Sequence, residues 1–136
     1  ELTKKYKTIC VSGTHGKSTT TAMLALIMIK AGMDPTVILG TKMKEFLPRR
    51  VRPPLGSNFR KGKGEWLLIE ADEYKAAFLN YSPQMIVLTN IDKDHMDYYK
   101  NMPHILDVYS EYIKKLPRGG ALIFNGDDEN IRKIVL

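Results

Sequence analysis

The sequence lacks the features that would place the protein outside the cytoplasm. Cys10 is its single cysteine, so no internal disulfide can form, and its apolar surroundings predict a small buried side chain, not a nucleophile. The longest apolar run, residues 22–29, is far shorter than the roughly 20 residues that a membrane-spanning helix needs. There is no signal-peptide pattern, internal repeat or low-complexity tract. We therefore expect a cytoplasmic protein that does not bind a membrane.

Positive charge is abundant but confined to one segment. The chain of 136 residues carries a formal net charge of +6. The segment from Lys42 to Lys63 contains eight basic side chains and one acidic side chain, Glu45, so it accounts for the whole excess. Such a segment suits an anionic small molecule, a nucleic acid or a solvated loop. Its prolines and glycines predict an irregular loop or β-edge structure instead of a long helix.

Apolar runs bounded by turn residues predict an alternation of strands and helices. The alternation indicates an α/β protein with a doubly wound, mostly parallel sheet and three αβα layers. The first predicted helix is apolar on nearly every side, so we expect it to be buried on more than one face. The predicted strands are residues 7–12, 35–39, 65–69, 84–88 and 121–124, and the predicted helices are residues 18–31, 104–116 and 127–135.

The stretch GTHGKSTTT, residues 13–21, has the character of a phosphate-binding loop. The common loop reads G-x-x-x-x-G-K-[ST], which would place its first glycine at residue 11, where this chain has Val11. The strand before the stretch and the helix after it are nevertheless the context that a phosphate loop requires. In that context the Lys17 ammonium faces the β- and γ-phosphates and the Ser18 hydroxyl ligates Mg²⁺. The chain therefore contains either a shorter loop or a coincidental glycine turn.

Acidic side chains and a histidine follow two other predicted strands. Glu70 ends one strand, where a carboxylate can bind the magnesium, and Asp72 and Glu73 compete for the same role. His95 stands among several acids in TNIDKDHMD and is a candidate metal ligand, although Mg²⁺ prefers oxygen. Because ligands of such sheets bind at the carboxyl ends of the strands, we expect these groups to share one edge.

Four motifs, GTHGKSTTT, EADEY, TNIDKDHMDYY and FNGDDE, together resemble the central ATP-binding domain of the Mur ligases. These are the ATP-dependent, amide-forming enzymes of peptidoglycan precursor synthesis, and their phosphate loop is short, G-T-x-G-K-[ST]. The likeness runs from about residue 9 to residue 129. Within the family, His15 and the EADE block are most similar to the member that joins L-alanine to UDP-N-acetylmuramate, and a member that attaches a recycled tripeptide carries a similar block.

The resemblance implies a site for ATP and Mg²⁺ together with roles for individual residues. Lys17 and His95 are implied as catalytic, Lys17 on the transferring γ-phosphate and His95 on a second magnesium. Ser18 and Glu70 are implied as ligands of the first magnesium. The implied nucleotide contacts are Gly13, Thr14, His15, Gly16, Lys17, Ser18, Thr19, Asn90 and Asn125.

The chain also departs from the family pattern. Several Mur ligases use a carbamoylated lysine downstream of the motif histidine, and because Ser110 stands near that place we predict no carbamate. Complete enzymes have an N-terminal domain for the UDP moiety and a C-terminal domain for the amino acid. Neither domain is expected within these residues, so we expect a fragment that binds nucleotide without ligase turnover.

Three other functions fit parts of the sequence. A tripeptide–UDP-N-acetylmuramate ligase of cell-wall recycling and a ligase like folylpolyglutamate or cyanophycin synthetase share the phosphate loop, although the second fits EADE and DHMD less well. A nucleic-acid-binding P-loop protein would use the basic segment. That segment has little aromatic interleaving, so we predict no nucleic acid as a partner. We instead predict that the segment faces an anionic UDP-sugar.

Overall fold

A computed structural model describes residues 2–46 and 56–135 and contains one sheet of six strands. The strands are β1 (Lys7–Ser12), β2 (Thr36–Met43), β3 (Ser57–Arg60), β4 (Trp66–Glu70), β5 (Met85–Leu88) and β6 (Ala121–Phe124). Their order across the sheet is β3-β2-β4-β1-β5-β6. All neighbouring pairs are parallel except β2 with β3, which is antiparallel. The mostly parallel sheet predicted from the sequence is confirmed.

Helices cover both faces of the sheet and give the predicted three layers. They are α1 (Lys17–Lys30), α2 (Met102–Ile113) and α3 (Glu129–Val135), with 3-10 turns at Leu2–Lys4, Lys44–Phe46 and Tyr74–Asn80. Helix α1 packs on one face through Ala25 and Met28. Helices α2 and α3 and the third 3-10 turn pack on the other face around Tyr109 and Phe78. Adjacent residues of β1, such as Ile9 and Cys10, point into opposite layers because side chains alternate along a strand.

The ends of the helices differ from the sequence prediction for identifiable reasons. Helix α2 begins at Met102, two residues before the predicted start, because the Asn101 side chain caps it by accepting a hydrogen bond from the His104 amide at 2.9 Å. Helix α3 is capped in the same way by Asp128, which accepts from the Ile131 amide at 2.8 Å. The helix predicted from residue 127 therefore begins only after Asp128.

The expectation that α1 is buried on more than one face is wrong for the described residues. Met23 and Ile27 are 60% and 61% exposed, and they border an apolar groove of about 440 Å³ over β5 and β6. Helix α1 crosses above β2, β4 and β1, so its outward flank has no neighbour within residues 2–46 and 56–135. The apolar sequence of a helix therefore indicates which side chains can be buried. It does not determine which of them have another element to pack against.

The basic segment contains the one strand that the sequence did not specify. Residues 57–60 form β3, an antiparallel edge strand, which is the β-edge alternative raised for this segment. Arg60 anchors it, since its guanidinium pairs with the Asp34 carboxylate and donates to the Pro35 carbonyl at 2.7 Å. This part of the positive charge is therefore used by the fold itself. Arg49, Arg50 and Arg52 lie outside the described residues.

Within residues 2–46 and 56–135, no helix has both the length and the apolar character needed to cross a bilayer.

Cys10 lies in the centre of the sheet, fully buried, as the sequence analysis expects. Burial raises the pKa of its thiol from 9.0 to about 11. Because the folded-state pKa is raised, the associated stability is complete below about pH 9 and is lost as the pH rises through about 11.

We predict that Cys10 resists thiol reagents in the folded protein. At pH 8 the folded chain should react with a disulfide reagent at least about 100-fold more slowly than the chain in urea, because both burial and the smaller thiolate fraction slow the reaction. The measurement is the absorbance at 412 nm of the thiolate that the disulfide reagent releases when it reacts with Cys10. The reaction of the unfolded control should take on the order of minutes. Equal rates with and without urea would contradict the buried position.

Candidate active site

The loop between β1 and α1 has the backbone conformation of a phosphate-binding loop. Gly13 and Gly16 both have positive φ, +130° and +80°. A Cβ on Gly13 would overlap the Thr89 hydroxyl and lie 2.9 Å from the Asn90 carbonyl oxygen. The first glycine therefore stands at residue 13 because the chain after β5 passes directly against the loop there. The two positive φ values and this close approach fit a complete, shorter loop better than a coincidental glycine turn.

The segment after β5 holds this loop in place. The Asn90 side chain accepts from the His15 amide at 2.8 Å and donates to the His15 carbonyl at 2.9 Å. Thr89 Oγ1 donates to the same carbonyl at 2.7 Å, and the Asp92 amide donates to Thr14 Oγ1 at 2.8 Å. Asn90 was predicted as a nucleotide contact from the resemblance. In this structure its amide oxygen and one of its two N–H groups bind the backbone of the loop, so Asn90 braces the loop. Its contact with nucleotide remains a prediction.

A cleft of about 420 Å³ opens over the loop and the start of α1. That volume is within the usual range for small-molecule sites. The first N–H groups of α1 have no acceptor within the helix, no side chain caps this end among the described residues, and the helix dipole makes it positive. These groups are suited to bind an anion. The cleft is lined by Thr14, His15, Gly16, Lys17, Ser18, Thr19 and Glu70, which includes every loop residue predicted to bind nucleotide except Gly13.

Ser18 and Glu70, predicted as ligands of one magnesium, are in direct contact. Ser18 Oγ donates to Glu70 Oε1 at 2.7 Å, and Glu70 Oε2 accepts from the Gly40 amide at 2.7 Å. The carboxylate at the end of β4 is thus oriented toward the first turn of α1. A hydroxyl and a carboxylate oxygen beside a phosphate-type loop are the hard donors that Mg²⁺ selects, so these residues fit that ion.

Lys17 is turned back onto its own loop. Its Nζ donates to the carbonyl oxygens of Gly13 at 2.7 Å and Thr14 at 3.1 Å, and to Glu73 Oε1 at 3.0 Å. Glu73 Oε2 lies 2.9 Å from the same nitrogen, close enough for an ion pair but without the geometry of a hydrogen bond. The ammonium therefore uses its three N–H groups within the site.

Glu73 is the site residue that the sequence analysis failed to assign. Its side chain is only 3% exposed, and besides Lys17 it approaches His95 Nε2 at 3.8 Å. The Tyr99 hydroxyl donates to its backbone carbonyl. The spacing in EADEY left Glu70, Asp72 and Glu73 as competitors. Glu70 ends β4 and contacts Ser18, whereas the turn that follows β4 carries Glu73 to Lys17, so the two glutamates have different partners.

His95 is held in an unusual backbone conformation beside Glu73. Its φ is +51°, a left-handed value that is uncommon for residues other than glycine and often found at functional sites. The Tyr74 ring lies 4.8 Å from the imidazole, and the Tyr74 hydroxyl donates to Asp97 at 2.9 Å, which raises the pKa of Tyr74. Ligand atoms of Asp72, Glu73 and His95 all lie within 4.8 Å of one another. The structure thus brings the two predicted catalytic residues, Lys17 and His95, to the same carboxylate oxygen, Glu73 Oε1, at 3.0 Å and 3.8 Å.

Asn125 does not belong to this cleft among the residues that the structure describes. Its side chain accepts from the Asp127 amide at 3.1 Å in the turn before α3. The proposed contact of Asn125 with adenine therefore remains a prediction.

The chain is similar to known proteins over nearly all of its length. Residues 11–135 match the model of the Mur ligase middle domain. A curated UDP-N-acetylmuramate–L-alanine ligase of Dictyoglomus turgidum is 41% identical over 135 residues, which are 99% of this chain and 27% of that protein. The chain therefore spans just over a quarter of the length of this curated relative.

Solved structures are similar to the chain over nearly all of its length. A UDP-N-acetylmuramate:L-alanyl-gamma-D-glutamyl-meso-diaminopimelate ligase of Neisseria meningitides superposes with a TM-score of 0.81 at 25% identity, covering 98% of this chain and 44% of that one. A MurF ligase of Thermotoga maritima in complex with ADP gives a TM-score of 0.66 at 25% identity, covering 96% of this chain and 30% of that one.

Proposed function

Because the chain belongs to the Mur ligase family, whose middle-domain model it matches over residues 11–135, we propose that it supplies the ATP site of an amide-forming ligase. The substrates we propose are UDP-N-acetylmuramate and L-alanine, as printed in the name of the 41% identical relative. One observation carries the proposal: the phosphate-type loop, Lys17 and the Ser18–Glu70 pair line one cleft. Glu73 lies directly behind Lys17, in contact with its ammonium, and approaches His95 at 3.8 Å.

The reaction has two steps in this proposal. The carboxylate of UDP-N-acetylmuramate attacks the γ-phosphorus of ATP, so the bond to the β-phosphate oxygen breaks and an acyl phosphate and ADP form. The amine of L-alanine then attacks the acyl carbon, loses a proton, and inorganic phosphate leaves. A free carboxylate is a poor acylating agent, which is why the first step requires ATP.

The residues of this chain contribute position and charge. The N–H groups at the start of α1 and the Lys17 ammonium bind the β- and γ-phosphates, which lowers the repulsion between the phosphates and the anionic attacking carboxylate. Ser18 and Glu70 would hold one magnesium, and His95 with Asp72 and Glu73 a second. Bound magnesium supplies Lewis-acid stabilisation of the charge on the transferring phosphoryl group.

The recycled tripeptide ligase remains the second candidate for a specific reason. The Neisseria structure, with a TM-score of 0.81, carries that activity in its name. Both candidates share the chemistry of the ATP site and differ in the amine that attacks the acyl phosphate, so the residues of the cleft do not separate them.

The test of this proposal is to identify the reaction products that are formed by the protein containing this chain. Incubated with ATP and UDP-N-acetylmuramate, that protein should form ADP, phosphate and UDP-N-acetylmuramoyl-L-alanine in equal amounts when L-alanine is added. Turnover with the tripeptide L-alanyl-γ-D-glutamyl-meso-diaminopimelate alone would support the second candidate. If neither amine gave a product that depends on ATP, both candidates would be refuted. The 136-residue chain alone is expected to bind ATP without turnover.

A further inference from the structure

The carboxylate of Glu73 binds the ammonium of Lys17, the group that we propose binds a phosphate of ATP. Its carboxylate lies 2.9–3.0 Å from Lys17 Nζ, and the two side chains are 3% and 14% exposed. An anionic group thus already pairs with the cation that the proposed function assigns to ATP. The pair is well shielded from water, so the interaction is stronger than that of a surface ion pair.

A phosphate can accept from Lys17 only if one of the present acceptors is released. The Gly13 and Thr14 carbonyls belong to the loop backbone, which is fixed by the contacts of Thr14 and His15 with Asn90. Glu73 is the acceptor on a side chain, and its negative charge would also repel the arriving phosphate. We therefore expect Glu73, and not a carbonyl, to give up Lys17.

A released Glu73 has a second set of partners at hand. Its Oε2 is buried without a hydrogen bond, and its carboxylate lies with ligand atoms of Asp72 and His95 in a cluster no wider than 4.8 Å. A divalent cation in that cluster would compensate the carboxylate that Lys17 no longer neutralises, since a buried charge without a partner is costly.

We propose that Glu73 is a positioning residue that exchanges partners: it holds Lys17 while the loop is empty, and it moves to a cation beside His95 when a triphosphate takes Lys17. This inference rests on the proposed nucleotide site. It has a thermodynamic consequence, because a shared side chain makes the triphosphate and this cation bind cooperatively, each raising the affinity for the other by the same factor.

The first test measures ATP binding by calorimetry with EDTA and with excess Mg²⁺. In EDTA, Glu73→Gln should bind ATP about tenfold more tightly than the wild-type chain, because the competitor for Lys17 has lost its charge. The gain in ATP affinity on adding Mg²⁺ should be about tenfold smaller in Glu73→Gln. Glu111→Gln is the matched control, since it makes the same change at an exposed residue of α2 whose carboxylate pairs with Lys114 and not with Lys17.

The outcomes of this test separate the inference from the proposed function. If Glu73→Gln bound ATP in EDTA no more tightly than Glu111→Gln, or if its gain in affinity with Mg²⁺ were unchanged, the partner exchange would be overturned while the nucleotide site remained intact. Failure of the wild-type chain to bind ATP under either condition would instead refute the proposed function.

A second test uses no nucleotide and does not depend on the folding of Glu73→Gln. In Lys17→Met, Glu73 is free from the start, so Mn²⁺ should bind about tenfold more tightly than to the wild-type chain, as measured from the electron paramagnetic resonance signal of free Mn²⁺. The gain should vanish in the double variant Lys17→Met with Glu73→Gln. Equal Mn²⁺ affinity of wild type and Lys17→Met would overturn the inference.

Discussion

Lys17→Met is expected to lower the affinity of the chain for ATP in the presence of Mg²⁺ by at least about 100-fold, or about 2.7 kcal/mol. Lys17 is the cationic side chain among the residues that line the loop cleft, and it is largely shielded from solvent. Its loss leaves the phosphates with the N–H groups of the helix end but without a full positive charge. Calorimetry with ATP and Mg²⁺ measures the change directly.

The same substitution should also destabilise the fold. Glu73 would be left as a buried carboxylate without its cation, which typically costs about 3–5 kcal/mol. Thermal unfolding followed by circular dichroism measures this loss. The double variant Lys17→Met with Glu73→Gln should recover most of the stability but not the affinity for ATP, so that the two effects are separated.

A matched control is available on the same helix. Lys30 lies exposed in the last turn of α1, far along the helix from the loop. Lys30→Ala should change neither the affinity for ATP nor the stability by more than about 0.5 kcal/mol. Equal affinity of wild type and Lys17→Met would remove Lys17 from the role assigned to it.

Gly13→Ala is the second substitution with a large expected effect. The new methyl group would overlap the Thr89 side chain and approach the Asn90 backbone, and the alanine would have to adopt a φ of +130°. Backbone strain and steric overlap together should destabilise the fold by about 3 kcal/mol or more. Because the loop and the segment after β5 would be forced apart, ATP binding should be lost as well. Urea unfolding and calorimetry measure the two effects.

Two other glycines serve as graded controls for Gly13→Ala. A methyl group on Gly126 would meet no atom of the described residues within 4 Å, and Gly126 has no positive φ, so Gly126→Ala should be neutral within about 0.5 kcal/mol. Gly16 has similar open space but a φ of +80°, so Gly16→Ala should cost only the backbone strain, about 1–2 kcal/mol of stability. If Gly13→Ala were no more destabilising than Gly16→Ala, the tight packing of the loop against Thr89 would not be what requires glycine there.

Sequence patterns were sufficient for the elements of the sheet and for the family. Apolar runs marked the strands, and β1 and β6 occupy the residues predicted for them. The family resemblance, confirmed by the middle-domain match, rested on short motifs whose residues are adjacent in the chain. Such local signals survive in a single sequence because each depends only on neighbouring residues. β3 was not specified because an edge strand with mixed polar residues lacks an apolar run.

The sequence did not determine which side chains contact one another in the site. Sequence alone placed the loop, the acids and His95 at the carboxyl edge of the sheet, since strand ends determine that edge. It did not distinguish Glu70 from Glu73, which lie three residues apart and share one chemistry. The tertiary structure separated them, because Glu70 at the end of β4 contacts Ser18, whereas the turn after β4 carries Glu73 to Lys17 and His95. In the same way, the site of the first glycine followed from the family pattern, but its physical cause, the passage of Thr89 and Asn90 against Gly13, is a contact between residues more than seventy positions apart.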